Sequence, residues 1–159
     1  MKKIITIFLL LFLISCGSKD EKKKGFEYNR TQKIDKKSND KNGSKTLVDI
    51  DNKGIGPIKK VDFATTVNTD LAEKGKATFN QKCTACHMAN RKLIGPAMKG
   101  IYERRSPEWV MNMLLNPAEM LKKDPIAIAL LKEYNNIMML NQNLTNDEAR
   151  SITEYLRTL

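Results

Sequence analysis

Cys83-Thr84-Ala85-Cys86-His87 is the stretch of this sequence that decides its fold. A C-x-x-C-H run is typical of c-type haem attachment. Two cysteine sulfurs separated by two residues reach the two vinyl groups on one porphyrin edge as thioethers, and the histidine that follows supplies a nitrogen to the iron. Because the chain has one histidine, a second histidine is excluded as the sixth ligand. The sequence therefore predicts one covalent haem c held by Cys83, Cys86 and His87.

Two other kinds of site also use paired cysteines. A thioredoxin-like dithiol needs a βαβ setting, whereas the pattern after residue 68 is helical. Structural zinc needs four ligands, usually from two separated pairs. The third cysteine of the chain, Cys16, lies far away near the N-terminus, so zinc would have to recruit carboxylates. Haem c is favoured over both.

The first 15 residues predict an export signal. Lys2 and Lys3 precede an apolar run, 4–14, that is too short to span a bilayer and is typical of a secretory signal peptide. The run ends in Leu13-Ile14-Ser15-Cys16-Gly17, which resembles the lipobox of bacterial lipoproteins. The resemblance implies cleavage after residue 15 and a lipid on Cys16 that anchors the mature chain to a membrane. The alternative is an ordinary signal peptide with a chance cysteine.

Residues 16–45 predict a disordered, lysine-rich tether. The segment has almost no apolar periodicity, so it cannot bury enough surface to offset the conformational entropy of the chain. As a flexible coil, residues 17–65 would span roughly 40 Å end to end. Residues 46–68 contain more apolar side chains, and Gly54-Ile55-Gly56-Pro57 prevents a helix. We expect these residues to form an extended arm that lies partly against the domain.

The net charge of +10 is unevenly distributed along the chain. Residues 17–60 hold 13 Lys and Arg against 7 Asp and Glu, whereas residues 61–159 hold 13 against 11. The part expected to fold is therefore close to neutral. A nucleic-acid-binding domain concentrates positive charge on its folded face, so we do not expect nucleic acid as a partner.

Residues 69–159 predict a small all-α domain, because helix start signals recur and no strand-like alternation occurs. Two of the signals are capping boxes, and two are an N-cap residue followed by proline. The four starts are Asp70-Leu71-Ala72-Glu73, Ser106-Pro107, Asp124-Pro125 and Thr145-Asn146-Asp147-Glu148. The first helix is predicted to run to about Gln81, and Asn116-Pro117 predicts the end of the second.

Over roughly residues 54–159 the chain resembles the class I monohaem cytochromes c. Gly75 and Phe79 precede Cys83 in steps of four residues, like the small residue and the aromatic in the first helix of that family. Tyr155 matches the aromatic of the last helix against which those two pack. Independently of the family, this spacing puts Gly75 and Phe79 on one helical face. The resemblance implies the small class I cytochrome c fold around one haem.

Gly95-Pro96 resembles the loop of that family on the histidine side of the haem. In the family, the carbonyl of this proline accepts the N–H of the ligand histidine. The resemblance therefore implies that Pro96 orients His87, an arrangement that fixes the tautomer of a ligand histidine and raises its basicity.

The resemblance also implies a place for the sixth ligand. In the family an axial methionine lies in a non-helical stretch before the last helix and is often followed by proline. Met138 and Met139 occupy that place, and Leu140 stands where the proline would be. Aligning Leu140 with the proline selects Met139, with Met138 as the alternative. A His/Met pair raises the reduction potential relative to two histidines and suits an electron carrier.

Trp109, Arg104 and Arg105 are candidates for hydrogen bonds to the haem propionates. For the two arginines we expect a solvated surface position instead, since one charged pair carries little specificity. For Trp109 we expect a place in the core.

These features indicate a membrane-tethered single-electron carrier and not an enzyme, because the iron takes the only histidine and no acid–base constellation remains. The alternative is a haem c gas sensor or a peroxidase-like enzyme with a displaceable sixth ligand. A non-haem lipoprotein used for surface interaction is a third.

The compartment and the partners follow from the export signal and the family. We expect an exported bacterial lipoprotein on the periplasmic side of a membrane, while Lys19-Asp20-Glu21 resembles a surface-export signal and leaves the cell surface open. The family implies a quinol-oxidising complex upstream, and a terminal oxidase or a nitrogen-oxide reductase downstream, in a bacterial respiratory chain.

Overall fold

The computed structural model describes residues 48–159. The predicted signal peptide (1–15), the lipidation site Cys16, the tether (16–45) and the first two residues of the predicted arm lie outside this part of the chain. The described helices are α1 (Thr69–Lys82), α2 (Pro107–Leu115), α3 (Pro117–Lys123), α4 (Pro125–Glu133) and α5 (Asn146–Leu156), with a 3₁₀ helix at Ile101–Glu103. Residues 48–159 contain one isolated β-bridge, Asp49 with Arg105, and no strand. The predicted all-α fold is confirmed.

Side chains fix the starts of three helices where the sequence predicts them. Ser106 and Asp124 each accept a backbone N–H from the first turn of the following helix, at 3.0 and 2.8 Å, and a proline follows each of them. Thr145 and Glu148 each accept the other's backbone N–H and form the predicted capping box. In the described part of the chain, none of the helices is long and apolar enough to cross a bilayer.

Two details of the helical prediction are wrong. Helix α1 begins after Asn68, whose side chain accepts the Leu71 N–H at 3.0 Å, so Asp70 lies within the first turn and does not cap it. Pro117 follows the end of α2, as predicted, but it also starts α3. Proline suits the first position of a helix because its missing N–H and fixed φ cost nothing there.

Helices α1 and α5 cross closely at Gly75. A Cβ at this position would overlap the Ser151 carbonyl oxygen and lie 2.8 Å from Ile152 N, so glycine lets the two backbones meet. One turn further along α1, the Phe79 ring lies 5.4 Å from the Tyr155 ring, centroid to centroid, with a 56° tilt. The packing of Gly75 and Phe79 against the last helix, which the family resemblance implied, is confirmed.

The second half of the arm is bound to α5. The Asn68 N–H donates to Glu154 Oε1 at 3.0 Å, and Glu154 also pairs with Arg150 and Arg157. Burial acts to raise the pKa of Glu154, but the N–H bond and the two arginines outweigh it and hold the pKa below its usual value. The same arginines lie over the Phe63 ring, 5.1 and 4.5 Å from its centroid. A charged cluster around the buried Glu154 therefore ties the arm to the last helix.

Candidate functional site

An apolar cavity of about 330 Å³ takes side chains from all five described helices. Cys83, Cys86 and His87 line it together, so the structure brings the C-x-x-C-H motif to one site. Within residues 48–159, no Asp, Glu, Ser or Thr contributes to the lining. The cationic side chains on the wall are Lys82, Arg104 and Arg105.

The motif lies at the C-terminal end of α1, where a tight turn holds it. The Cys83 N–H donates to the Phe79 carbonyl at 2.8 Å, and the N–H groups of Cys86 and His87 both donate to the Cys83 carbonyl, at 3.0 and 2.9 Å. Burial raises the pKa of the Cys83 thiol to about 11. Redox-active cysteines have a lowered pKa. The raised pKa of Cys83 therefore does not favour a reactive dithiol.

His87 is held in the orientation that a metal ligand requires. Its Nδ1 lies 3.1 Å from the Pro96 carbonyl oxygen. Because a carbonyl can only accept, Nδ1 carries the proton and Nε2 keeps its lone pair. Burial lowers the pKa of His87, although the Pro96 carbonyl opposes this, so the ring is neutral at pH 7, the form that binds metals.

The loop after the motif places Pro96 beside the imidazole. The Gly95 N–H donates to the Cys86 carbonyl at 2.8 Å, and the Met98 N–H donates to the Met88 carbonyl at 3.1 Å. A Cβ at position 95 would overlap the His87 ring and lie 2.8 Å from Nδ1. Glycine at this position is therefore what allows the histidine to reach the proline carbonyl.

Four methionines line the cavity: Met98, Met113, Met138 and Met139. Met98 and Met113 belong to the loop after Pro96 and to α2. Met138 and Met139 lie between α4 and α5, and they differ in burial. Met138 is 63% exposed, whereas Met139 is partly buried and packs against the core. Met111 and Met120, by contrast, are buried in the core and do not reach the cavity.

The surface position expected for Arg105 is wrong. Its side chain is 2% exposed, and its guanidinium carbon lies 5.2 Å from the centre of the Trp109 ring. Arg104 is partly buried and donates to the carbonyls of Ala97 and Gly100 at 3.1 and 3.0 Å. Both arginines line the cavity. They are buried or partly buried there because backbone carbonyls or the Trp109 ring contact their guanidinium groups.

Trp109 is in the core as predicted, but its polar atom has a protein partner. The indole N–H donates to Asp124 Oδ1 at 3.0 Å. Asp124 is 1% exposed, and sequence reasoning identified it only as a helix cap. In the sequence, Asp124 stands before Pro125, and this pattern predicts a helix cap. The pattern does not reveal that the same carboxylate also accepts the Trp109 N–H.

The donor set and the cavity fit haem c and do not fit zinc. In the described residues, no three His, Cys, Asp or Glu side chains come together to bind a metal ion. The site instead offers two thiols, a neutral imidazole, a thioether and apolar walls. Arg104 and Arg105 on the wall match the negative charge of the two propionates, since arginine pairs well with carboxylates.

Comparisons with known proteins agree with this geometry. The family model for cytochrome c matches residues 72–159. The chain is 40% identical to the solved structure of a cytochrome c from Rhodothermus marinus, with a TM-score of 0.63, over 65% of this chain and 88% of that one. An engineered form of the Rhodothermus marinus protein is 39% identical, with a TM-score of 0.62, over 65% and 89%. A third structure, also 39% identical, is the engineered protein bound to a carbene intermediate, with a TM-score of 0.60 over 65% and 88%. Comparison with curated protein sequences gave no match.

The family match covers more than half of the chain, from α1 to the last residue. It includes the crossing of α1 and α5, the C-x-x-C-H turn, the Pro96 loop and the stretch that carries Met139. The chain therefore belongs to the cytochrome c family, as a class I monohaem member that binds haem c covalently and serves in electron transfer.

Proposed function

We propose that this protein is a single-electron carrier in which His87 and Met139 would be the two protein ligands of the haem iron. The observation that carries the proposal is the composition of the cavity, whose mostly apolar lining includes the one histidine and the partly buried Met139. When bound, haem c supplies an iron that alternates between the ferric and ferrous states. A His/Met pair stabilises the ferrous state and raises the potential relative to bis-histidine ligation.

The residues around the cavity favour electron transfer over catalysis. Pro96 fixes His87 in one tautomer, and most of the side chains that line the cavity are apolar. Among the residues that the structure describes, no carboxylate lines the cavity, so a carboxylate general acid or base has no candidate there. If His87 and Met139 both stay on the iron, they would exclude small substrates and keep the structural change between redox states small.

Burial favours Met139 over Met138 as the ligand. A thioether held against the core is already ordered, so its binding costs little side-chain entropy. Met138 is 63% exposed. To bind the iron, its side chain would have to turn inward and lose conformational entropy. Met139 is therefore the ligand in this proposal, and Met138 forms part of the cavity rim.

Met139→Ala is expected to abolish the sulfur–iron charge-transfer absorption of the oxidised protein and to lower the reduction potential, because the thioether that stabilises ferrous iron is lost. Absorption spectroscopy and a redox titration measure both effects. Met138→Ala is the matched control and should leave both unchanged. If the two variants exchange these results, Met138 is the ligand; if neither changes the spectrum, neither of these methionines is the ligand and the assignment of Met139 is wrong.

A second candidate function is a haem sensor or a peroxidase-like enzyme with a displaceable sixth ligand. The observation in its favour is the 39% identical engineered cytochrome c whose structure holds a carbene intermediate. In the carrier proposal, Met139 stays bound in both redox states, so the two functions differ in whether an external ligand reaches the iron.

The proposal also includes a membrane tether and a respiratory role. The lipobox-like residues ending in Cys16 support the anchor, and the haem supports export, since c-type haem is attached outside the bacterial cytoplasm. We propose a periplasmic location and redox partners in a respiratory chain, namely a quinol-oxidising complex and a terminal oxidase or nitrogen-oxide reductase.

Incorporation of labelled fatty acid into the natural protein, and its loss in Cys16→Ser, tests the lipid anchor. Labelling that persists in Cys16→Ser, or is absent from the natural protein, would contradict the anchor.

A further inference from the structure

The first half of the arm reaches the haem cavity through one buried carboxylate. The side-chain amide of Asn52 donates from Nδ2 to Asp124 Oδ2 at 2.8 Å. The other oxygen of Asp124 accepts the indole N–H of Trp109 at 3.0 Å and the Ala127 N–H at 2.8 Å. Trp109 in turn lines the cavity. A continuous chain of hydrogen bonds therefore runs from the arm to the cavity wall.

Asn52 itself is held firmly in position. The Ser106 hydroxyl donates to the Asn52 carbonyl at 2.6 Å, and the Asn52 N–H donates to Asp49 Oδ1 at 3.0 Å. The Asn52 side-chain oxygen accepts the Gly54 N–H at 2.8 Å. The amide oxygen of Asn52 therefore bonds within the arm, and the amide nitrogen bonds to Asp124. These two hydrogen bonds fix the orientation of the amide.

A second contact anchors the arm just beyond Asn52. The fully buried Asn112 of α2 donates from Nδ2 to the carbonyls of Lys53 and Ile58, at 2.8 and 2.9 Å, and accepts the Ile58 N–H at 3.0 Å. A Cβ at Gly56 would overlap the Asn112 side chain. This one amide therefore satisfies backbone groups on both sides of a bend that brings the arm against α2.

The carboxylate of Asp124 depends on these donors because it is buried. A buried charge is costly unless it is paired and hydrogen-bonded. Removal of the Asn52 side-chain amide removes the hydrogen bond to Asp124 Oδ2. We then expect the carboxylate to move from its present position. Trp109, which is held at its edge by Asp124 and faced by Arg105, would follow.

We propose that the arm is a positioning segment for the haem site and that it acts through Asn52, Asp124 and Trp109. The family match begins at residue 72, so the arm lies outside it. The proposal requires only the covalent haem. It holds whichever methionine is the sixth ligand and whichever proteins exchange electrons with the chain, so it can fail independently of the carrier function.

The test compares Asn52→Ala with Asp51→Ala in the haem-loaded, full-length protein. Asp51 is the exposed neighbour of Asn52, so it is a matched control for the arm. The chain has one tryptophan, so the single indole N–H resonance in an NMR spectrum reports Trp109 alone. In Asn52→Ala this resonance should move, its exchange with deuterium should be roughly tenfold faster, and the reduction potential of the haem should shift. Asp51→Ala should match the natural protein in all three.

A double-mutant cycle separates positioning from general destabilisation. If Asn52 acts through the tryptophan, Asn52→Ala should change the potential much less in a Trp109→Phe background than in the natural protein. Equal shifts in both backgrounds, or an unchanged indole resonance in Asn52→Ala, would overturn the proposal. Should Asn52→Ala not fold, Asn52→Ser makes the same comparison, because its hydroxyl is too short to bridge the same distance to Asp124.

Discussion

Cys83→Ser/Cys86→Ser is expected to leave residues 69–159 largely unfolded. The two serines cannot form thioethers, so the variant loses the covalent haem that fills the cavity between the helices. At about 24 cal/mol per Å³, 330 Å³ of unfilled cavity would cost at most about 8 kcal/mol, because the cavity is partly open. This is comparable with the whole free energy of unfolding of a small domain, about 5–15 kcal/mol. Circular dichroism during thermal unfolding measures the effect.

Thr84→Ser is the matched control, because it changes a residue between the two cysteines and keeps a hydroxyl that donates to the Asn80 carbonyl. This variant should load haem and melt cooperatively. A cooperative, native-like melt of the haem-free double-serine variant would show that the protein core is sufficient without the haem, contrary to this account.

Gly75→Ala is expected to cost at least about 2 kcal/mol of folding free energy, within the range for overpacking a tight site. The added methyl group would overlap the Ser151 carbonyl oxygen, and backbone atoms on both helices cannot move aside as a flexible side chain would. Helix propensity alone predicts the opposite sign, since alanine is favoured over glycine by about 1 kcal/mol. Urea unfolding of the haem-loaded protein decides between the two.

Ala77→Gly on the exposed side of α1 provides the scale for this comparison. It should cost no more than about 1 kcal/mol, the propensity difference alone. If Gly75→Ala proves as stable as the natural protein while Ala77→Gly is destabilised, close contact between α1 and α5 does not limit the fold.

The features that could be predicted from sequence are local ones. Ser106, Asp124 and Thr145 cap N–H groups within three residues of themselves, and the cysteines and the histidine of the motif are neighbours in the chain. The wrong cap, Asp70, arises because Asp70 and Glu73 have the spacing of a capping box, while Asn68 lies just outside the pattern and makes the actual bond.

The features that sequence reasoning missed depend on contacts between distant residues. Asn52 and Asp124 are 72 positions apart, and no spacing rule connects them. Arg105 is buried because Trp109 and the cavity wall surround it, whereas an adjacent pair of arginines in a sequence usually indicates surface. Met138 and Met139 are neighbours in the loop, and their difference in burial likewise comes from the packing of the fold; the selection of Met139 from the sequence stays a prediction.

If His87 and Met139 both stay bound to the haem iron, as proposed, no external ligand enters the site. Exposure of the reduced protein to carbon monoxide tests this most directly, with Met139→Ala as a control in which the sixth position is open. The account predicts that the ferrous absorption spectrum of the natural protein stays unchanged at neutral pH, while that of Met139→Ala shifts promptly. Rapid, stoichiometric binding of carbon monoxide by the natural protein would contradict the carrier function and favour a haem sensor or enzyme.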